Sequence, residues 1–233
     1  MRKQAGFTLI EIAIVLVIIG LLLGGVLKGQ ELITSARVRN IISQQDGVKA
    51  AYFGFLDRFR ALPGDYSLAS TNIANVAATA NGNGNGQILT AVTDGIDEYI
   101  AVWDHLSKAG FINGSYTYAA GAETPGTAPT SPYARYIQVI YDNVYGAGGG
   151  AQRHNIKTGN GIPSELLSEI DRKIDDGNPV TGVFQFSAYP GGTGTSASTA
   201  PTGSGQCYTA AVPPAQPTWT APTVSNCGGA SLL

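Results

Sequence analysis

Residues 6–25 read GFTLIEIAIVLVIIGLLLGG, an apolar run with a single ionisable side chain, Glu11. A helix needs about 20 apolar residues to cross a bilayer, and the stretch from Phe7 to Leu27 is long enough to do so. A carboxylate near hydrocarbon is costly and usually marks a function. This stretch therefore predicts a membrane-spanning helix in which Glu11 has a specific role.

The residues on either side of the span predict its orientation. Arg2 and Lys3 precede it, and positive residues hold the adjacent terminus on the cytoplasmic side. A secretory signal has a shorter apolar core, which is followed by a small-residue cleavage site. Here the apolar run continues into an amphipathic helix. We therefore expect the span to be retained as an anchor and the rest of the chain to lie in the periplasm or outside the cell.

The composition is typical of an exported domain that is rich in loops. The 233 residues have a formal net charge of -2, which argues against nucleic-acid binding through bulk positive charge. Charged residues make up 13% of the chain, which also has 31 Gly and 12 Pro, so we expect long surface loops. Cys207 and Cys227 are close in sequence, and in an exported protein such a pair predicts a disulfide bond.

The segment after the span has an apolar stripe at helical spacing of three and four. The stripe consists of Val38, Ile41, Val48, Tyr52, Phe55 and Phe59. Gln45 is its one polar interruption. Pro63 forces the preceding residue out of helical geometry and Gly64 follows it, so we expect the helix to stop near Leu62. Residues 28–62 are thus predicted to form the amphipathic half of one long helix.

The remaining residues, 63–233, are predicted to form a globular head. Residues 96–108 form a short helix in this interpretation, and Ser164 is expected to cap another helix that continues to about Ile174. The aromatic and β-branched segments 133–142 and 181–189 are predicted strands. The inward side chains of the first short helix are Ile96, Ile100, Trp103 and Leu106. The expected fold class is α+β, with a small antiparallel sheet packed against the C-terminal half of the long helix.

The sequence GFTLIE at residues 6–11 resembles the cleavage and methylation site of type IV prepilins and the related pseudopilins. Four features coincide: small Gly6 before the cut, Phe7 after it, Glu11 at the fifth mature position, and the apolar span. The resemblance implies a leader peptide, residues 1–6, which a prepilin peptidase would remove. It also implies methylation of the new amine of Phe7.

The resemblance extends strongly over residues 1–62 and only loosely over the head, where it involves the segments LPGDY, WDHLSKAGFI and DRKIDDGNPVTG. It implies that residues 7–27 form the core of a homo-oligomeric helical filament. Glu11 would then complement the charged amine of Phe7 in a neighbouring subunit and set the register of assembly. An accidental carboxylate that snorkels to the interface is the alternative interpretation of Glu11.

By this resemblance the chain is a structural pilin rather than an enzyme, with no cofactor and no metal. It would be inserted in the bacterial inner membrane, cleaved, and assembled by the pilus machinery into an extracellular filament for adhesion, motility, DNA uptake or conduction. A type II secretion pseudopilin or a minor pilin is the first alternative. A membrane-anchored binding module or enzyme is an alternative of a different class.

The chain departs from the family at the end of the span. Many pilins have a proline there, linked to a stretch that loses helical form in the filament, whereas this chain has Lys28. Each of the glycines in this region costs up to about 1 kcal/mol of helix stability relative to alanine. They are Gly20, Gly24, Gly25 and Gly29. They could allow the helix to melt, or they could allow neighbouring helices to pack closely.

The head contains several weaker motifs. Many pilins close a C-terminal loop with a disulfide, and the proline-rich loop 207–227 is expected to display Trp219 at the surface, as plain coil or as a contact loop. Residues 81–88, NGNGNGQI, echo a calcium loop, with Asn81, Asn83, Asn85 and Gly86 at ligand positions. The first ligand is not Asp and the twelfth position is Val92, so a flexible turn is favoured over a metal site.

Other polar residues have simple structural explanations. The three aspartates of DRKIDD, residues 171–176, are typical of a solvated helix end. His105 is expected on a short helix and His154 in a polar loop. The sequence NGS at Asn113 could accept a glycan.

Overall fold

The structure is a computed structural model that describes residues 9–148, 150–192, 201–210, 215–220 and 224–233. It divides into two compact units: the described residues up to Arg39, and Asn40–Leu233.

The first helix, α1, extends from Leu9 to Phe59. Its N-terminal part is long and apolar enough to cross a membrane, with a mean hydropathy of 2.8 over the best window. Exposure of the large apolar side chains is high, at 89% for Leu9 and 67% for Leu27. The helix ends earlier than the predicted Leu62 because Arg60 adopts the left-handed conformation, with φ 55°.

The amphipathic half of α1 is confirmed in the second unit. Four side chains of the predicted stripe are buried there, with exposures of 6% or less: Ile41, Val48, Tyr52 and Phe55. Gln45 follows the same face and is also buried, and its Oε1 has no hydrogen-bond partner in the described part of the chain. Phe59 is half-buried against the same core.

Among the described residues after α1 there are four further α-helices and a short 3-10 turn. They are α2 (Ala69–Asn72), the 3-10 turn (Ala78–Ala80), α3 (Ala91–Asp94), α4 (Glu98–Lys108) and α5 (Ser164–Ile174). The predicted start of α4 is two residues too early. The predicted end of α5 near Ile174 is confirmed, but Ser164 is the first residue of the helix rather than its cap, and Pro163 takes the N-cap position. Three predicted inward residues of α4, Ile100, Trp103 and Leu106, are fully buried, whereas Ile96 precedes the helix and is half-buried.

The head contains a four-stranded antiparallel sheet with the strand order β1-β2-β6-β3. Its strands are β1 (Gln138–Asp142), β2 (Arg153–Lys157), β3 (Phe184–Phe186) and β6 (Gly229–Leu232). A separate pair is formed by β4 (Tyr208–Thr209) and β5 (Thr218–Trp219). The two predicted strands are present but shorter than expected, and β2 and β6 were not predicted.

The core joins the second half of α1 to α4 and to one face of the sheet. Phe55 of α1, Trp103 of α4, and Val139 and Ile156 of the sheet belong to one buried cluster. Val139 pairs directly with Ile156, so both side chains point to the same face. The fold is therefore α+β, a long N-terminal helix followed by a small antiparallel sheet, as predicted.

Candidate functional site

The apolar N-terminal segment carries most of the exposed large apolar side chains of the described chain. Glu11 lies in the first turn of α1, and the large side chains from Leu9 to Leu27 are all at least 46% exposed. Exposed apolar surface on this scale marks a contact with membrane or protein. Gly6 and Phe7, where cleavage and methylation are predicted, lie outside the described residues.

The glycines of the span do not interrupt the helix. Residues 20–29 are α-helical throughout, and a Cβ added at Gly20, Gly24, Gly25 or Gly29 would meet no heavy atom within 4 Å. Lys28, which stands where many pilins have proline, forms an exposed ion pair with Glu31 at 2.7 Å. Melting and close helix packing both remain hypotheses for the assembled state.

The predicted turn at residues 81–88 is organised by protein carboxylates. The backbone N–H groups of Gly84 and Asn85 donate to Oδ1 of Asp65 at 2.6 and 3.0 Å, and Gly86 donates to Oδ2 at 2.8 Å. Asn83 donates its backbone N–H to Oε1 of Glu98 at 3.1 Å. The loop therefore surrounds two acidic side chains with N–H donors, an arrangement opposite to the oxygen-lined cage that calcium requires.

Asp65 and Glu98 form a buried acidic pair beneath this turn. Their exposures are 3% and 0%, and the two side chains are hydrogen-bonded to each other. Burial raises the pKa of Asp65 above its usual value, although its three backbone donors act in the opposite direction. Both residues were missed in the sequence, because no local pattern indicates that they meet the turn at residues 81–88.

His105 connects two backbone segments of the same region, at Gly64 and at Ala80. Its Nδ1 accepts a hydrogen bond from the backbone N–H of Gly64 at 2.9 Å, and Nε2 lies 2.9 Å from the carbonyl oxygen of Ala80. Nε2 must therefore carry the proton of the neutral ring. Burial lowers the pKa of His105 to about 4. This histidine is a structural crosslink on α4, as expected from the sequence.

The prediction for His154 was wrong. It lies in β2 rather than in a polar loop, and its ring packs against Tyr52 and Tyr141 with centroid distances of 6.0 and 4.9 Å. Burial between these rings lowers its pKa to about 4.

The prediction of a solvated helix end at residues 171–176 is also wrong for its first aspartate, Asp171. Asp171 is fully buried, and its Oδ2 accepts a hydrogen bond from the indole N–H of Trp219 at 2.8 Å. Burial raises the pKa of Asp171 to about 6. Trp219 is only 7% exposed, so it is not displayed at the surface as expected. Buried tryptophan N–H groups usually have a hydrogen-bond partner, and the partner of Trp219 is Asp171.

Asp171, Asp175 and Asp176 bring carboxylate oxygens within 4.8 Å of one another. Protein donors already use these oxygens. Asp175 accepts from the backbone N–H of Val183, and Asp176 accepts from the hydroxyl of Thr181 at 2.7 Å. The trio is thus satisfied as a turn that follows α5.

The disulfide between Cys207 and Cys227 is confirmed, with an S–S distance of 2.08 Å and a Cα–Cα distance of 5.6 Å. Ser164 at the start of α5 binds the enclosed loop: its hydroxyl donates to the carbonyl oxygen of Thr220 at 2.9 Å and accepts from the backbone N–H of Val224 at 3.0 Å. The described part of the loop is therefore attached to α5. The prediction of a disulfide-closed loop at residues 207–227 is confirmed. The loop is not only coil, because it includes the strand pair of β4 and β5.

One ion pair within the sheet has a buried lysine and a partly exposed aspartate. Lys157 of β2 pairs with Asp142 of β1, and Asp142 also accepts from the side-chain amide of Asn155 at 3.0 Å. Lys157 is 2% exposed, and burial lowers its pKa. Such a pair costs desolvation energy and is well explained as a device that fixes strand pairing.

Comparison with known families matches residues 1–27 to the prokaryotic N-terminal methylation motif. Comparison with curated proteins and with solved structures gives no match. The motif coincides with the basic leader, Gly6, Phe7 and Glu11, and with the first turns of the exposed helix. An apolar N-terminal helix of this kind suits anchoring in the inner membrane. The chain thus carries the N-terminal methylation motif that is the signature of type IV pilin and pseudopilin precursors.

Proposed function

We propose that the chain is the precursor of a structural subunit of a type IV pilus. The observation that carries the proposal is the coincidence of the methylation motif with an exposed apolar helical segment that precedes the α+β head in the sequence. A helix whose large side chains are exposed along its whole apolar length needs lipid before assembly and other helices after it.

In this proposal a prepilin peptidase cuts after Gly6 and the amine of Phe7 is methylated. The mature subunits then associate through residues 7–27, with Glu11 of one subunit against the amine of Phe7 in the next. Burial of a paired charge selects one arrangement, because an unpaired charge would cost roughly 3 to 5 kcal/mol. The heads form the outer surface of the filament, outside the cell.

The test is the mass of the intact protein and of its N-terminal peptide, after shearing from the cell surface. We expect a mature chain that begins at methylated Phe7 and lacks Arg2 and Lys3, and is therefore more negative by two charges. A surface protein that begins at Met1 would contradict the proposal.

A pseudopilin or minor pilin carries the same motif, so the abundance of the chain distinguishes these roles. As a major pilin it should be the main protein of sheared filaments, whereas a minor pilin or pseudopilin should be a trace component or absent. A membrane-anchored binding module or enzyme should remain a monomer in the inner membrane.

A further inference from the structure

The chain contains five Asn-Gly dipeptides, and the structure places them in different chemical environments. They begin at Asn81, Asn83, Asn85, Asn113 and Asn160. In such a pair, the backbone nitrogen of the glycine can lose its proton and attack the side-chain carbonyl carbon of the asparagine. Glycine favours this attack because it has no Cβ to crowd the nitrogen. A hydrogen bond from that N–H to an acceptor stabilises the protonated nitrogen and opposes the reaction.

The nucleophilic nitrogens of the first three pairs are all engaged. Gly84 donates to Oδ1 of Asp65 at 2.6 Å and to its carbonyl oxygen at 2.9 Å, and Gly86 donates to Oδ2 at 2.8 Å. Gly82 donates to the carbonyl oxygen of Tyr66 at 3.2 Å. Hydrogen bonds to a charged acceptor are the strongest of these, so Asn83 and Asn85 are the best protected.

The attacked side chains of this turn are held as well. Asn83 accepts the backbone N–H of Asn85 at 2.9 Å through Oδ1, and Asn85 accepts that of Gln87 at 2.8 Å in the same way. The fourth protected residue, Asn160, is fully buried, and its amide donates to Oδ1 of Asn226 at 2.8 Å. Its side chain cannot rotate towards its own backbone without losing that bond.

Asn113 differs from all of these. Asn113 and Gly114 are both exposed, and within the described part of the chain neither the side chain of Asn113 nor the N–H of Gly114 makes a hydrogen bond. Gly114 has φ +107°, a conformation open to glycine only. Asn113 also borders a cavity of about 330 Å³ that Trp103 and Tyr116 line, so there is open space on one side of it.

We propose that Asn113 is a site of spontaneous deamidation and that Asp65 protects the turn at residues 81–88 from the same reaction. The nitrogen of Gly114 loses its proton and forms a bond to Cγ of Asn113, the bond from Cγ to Nδ2 breaks, and Nδ2 takes up a proton and leaves as ammonia. Water then opens the resulting succinimide ring at either carbonyl, which gives aspartate or isoaspartate. The product places a new carboxylate at the rim of the cavity.

The test compares all five sites in one sample. The full-length protein, folded in detergent, is incubated in mildly alkaline buffer, and its peptides are analysed by mass spectrometry at intervals. A second sample is incubated in concentrated urea. Since a hydrogen bond to a charged acceptor corresponds to a rate factor of about tenfold or more, unfolding should accelerate deamidation of Asn83 and Asn85 by at least that factor. Asn113 should react first in the folded protein and gain least from urea.

An Asp65→Ser variant tests the protection directly, with Asp46→Ser, at an exposed position on α1, as the matched control. Deamidation of Asn83 and Asn85 should rise in Asp65→Ser alone, while Asn160 stays slow. A faster deamidation of Asn160 in Asp65→Ser would show that the variant is partly unfolded. The rates in folded and urea-treated wild type then decide whether the turn is protected. Equal rates at Asn83, Asn85 and Asn113 in the folded protein, or a glycan that occupies Asn113, would overturn the proposal.

Discussion

The indole N–H of Trp219 donates a hydrogen bond to Oδ2 of Asp171 at 2.8 Å, and this bond connects the disulfide loop to the body of the head. Asp171 lies on α5 and Trp219 on β5, within the loop that Cys207 and Cys227 close. The carboxyl also accepts the backbone N–H of Gly177 at 3.2 Å. Loss of the Trp219 bond leaves a buried acceptor half satisfied.

The Trp219→Phe variant should destabilise the head, because it keeps an aromatic ring and deletes only the N–H donor and part of the volume. We expect the free energy of unfolding to fall by about 1 to 3 kcal/mol, the range for a buried group that loses its partner. Urea denaturation measures it. Substitution of the exposed Phe53 by Leu is the control and should have little effect. Equal stability of Trp219→Phe and wild type would show that the bond contributes nothing.

Removal of the disulfide should have a larger effect. The double variant with Cys207→Ser and Cys227→Ser lacks the crosslink between two residues 20 positions apart, so its unfolded chain can adopt more conformations. In the chain-entropy model, loss of this crosslink lowers the free energy of unfolding by about 3 kcal/mol. The midpoint of urea unfolding under non-reducing conditions gives the value, and reduction of the wild type should reproduce it. An unchanged midpoint in both experiments would contradict the prediction.

Stability should depend on pH through His105. Its pKa is about 4 in the folded chain, against 6.5 for an ordinary histidine, so the unfolded chain binds more protons between these values. His105 thus contributes stability that is complete above pH 6.5 and is lost as the pH falls through 4. The loss is up to about 3 kcal/mol. Asp171 has the opposite effect, because its pKa is raised from 3.8 to about 6 in the folded chain. The stability that Asp171 contributes is complete below pH 3.8 and is lost as the pH rises through 6.

A His105→Gln variant separates these two contributions. Glutamine can still accept the N–H of Gly64 but does not titrate, so the stability of the variant should decline less than that of the wild type between pH 6.5 and 4. Denaturation curves across this range measure the difference. His154→Gln is needed beside it, because the pKa of His154 is lowered in the same direction. Parallel pH profiles of wild type and His105→Gln would exclude His105 as the source.

Two glycine-to-alanine substitutions should change the stability of the head in opposite directions. Gly64 has φ +87°, and a Cβ there would lie 2.4 Å from the carbonyl oxygen of Glu98, so Gly64→Ala should cost more than about 2 kcal/mol. Gly47 is in the interior of α1 with no heavy atom within 4 Å of an added Cβ. Gly47→Ala should therefore stabilise the head by up to about 1 kcal/mol. Thermal unfolding of both variants checks the signs.

Under the proposed function, Glu11→Gln should block assembly without affecting the head. The amide is cheaper to insert near hydrocarbon than a carboxylate, so membrane insertion should be normal. In the helix bundle, however, the amine of Phe7 would lose its charged partner. We expect mature monomer to accumulate in the membrane with few filaments, as measured by shearing and by the mass of the N-terminal peptide.

Cleavage must be measured in the same Glu11→Gln sample, because uncut protein would also fail to assemble. Abundant filaments composed only of the variant would show that the carboxylate does not direct assembly, and that Glu11 merely snorkels to the interface.

The three long helices, α1, α4 and α5, were predicted well because their signals are local, whereas the four-residue helices α2 and α3 were not predicted. The apolar stripe from Ile41 to Phe55 has the helical period, and Pro163 and Ser164 mark the start of α5. The end of α1 was missed by a few residues because Arg60, rather than Pro63, leaves the helical conformation.

The two interior strands of the sheet, β2 and β6, and the polar network could not be predicted in the same way. The strand GASL at residues 229–232 lacks alternating large side chains, and it is a strand only because β2 and β3 pair with it on both sides. The contacts of Asp65 with Gly84 and of Asp171 with Trp219 join residues that are far apart in sequence. Such contacts depend on tertiary structure, and no local period encodes them.

The position of β6 has a consequence for the order in which the head can be made. This strand follows every other described strand in the sequence, yet it lies inside the sheet, between β2 and β3. During synthesis β3 has no neighbouring strand until the chain is complete through Leu232, and the second cysteine of the disulfide arrives only a few residues earlier. A chain that is interrupted before this point cannot close its sheet, and it would present two open strand edges to the proteases that remove incomplete proteins.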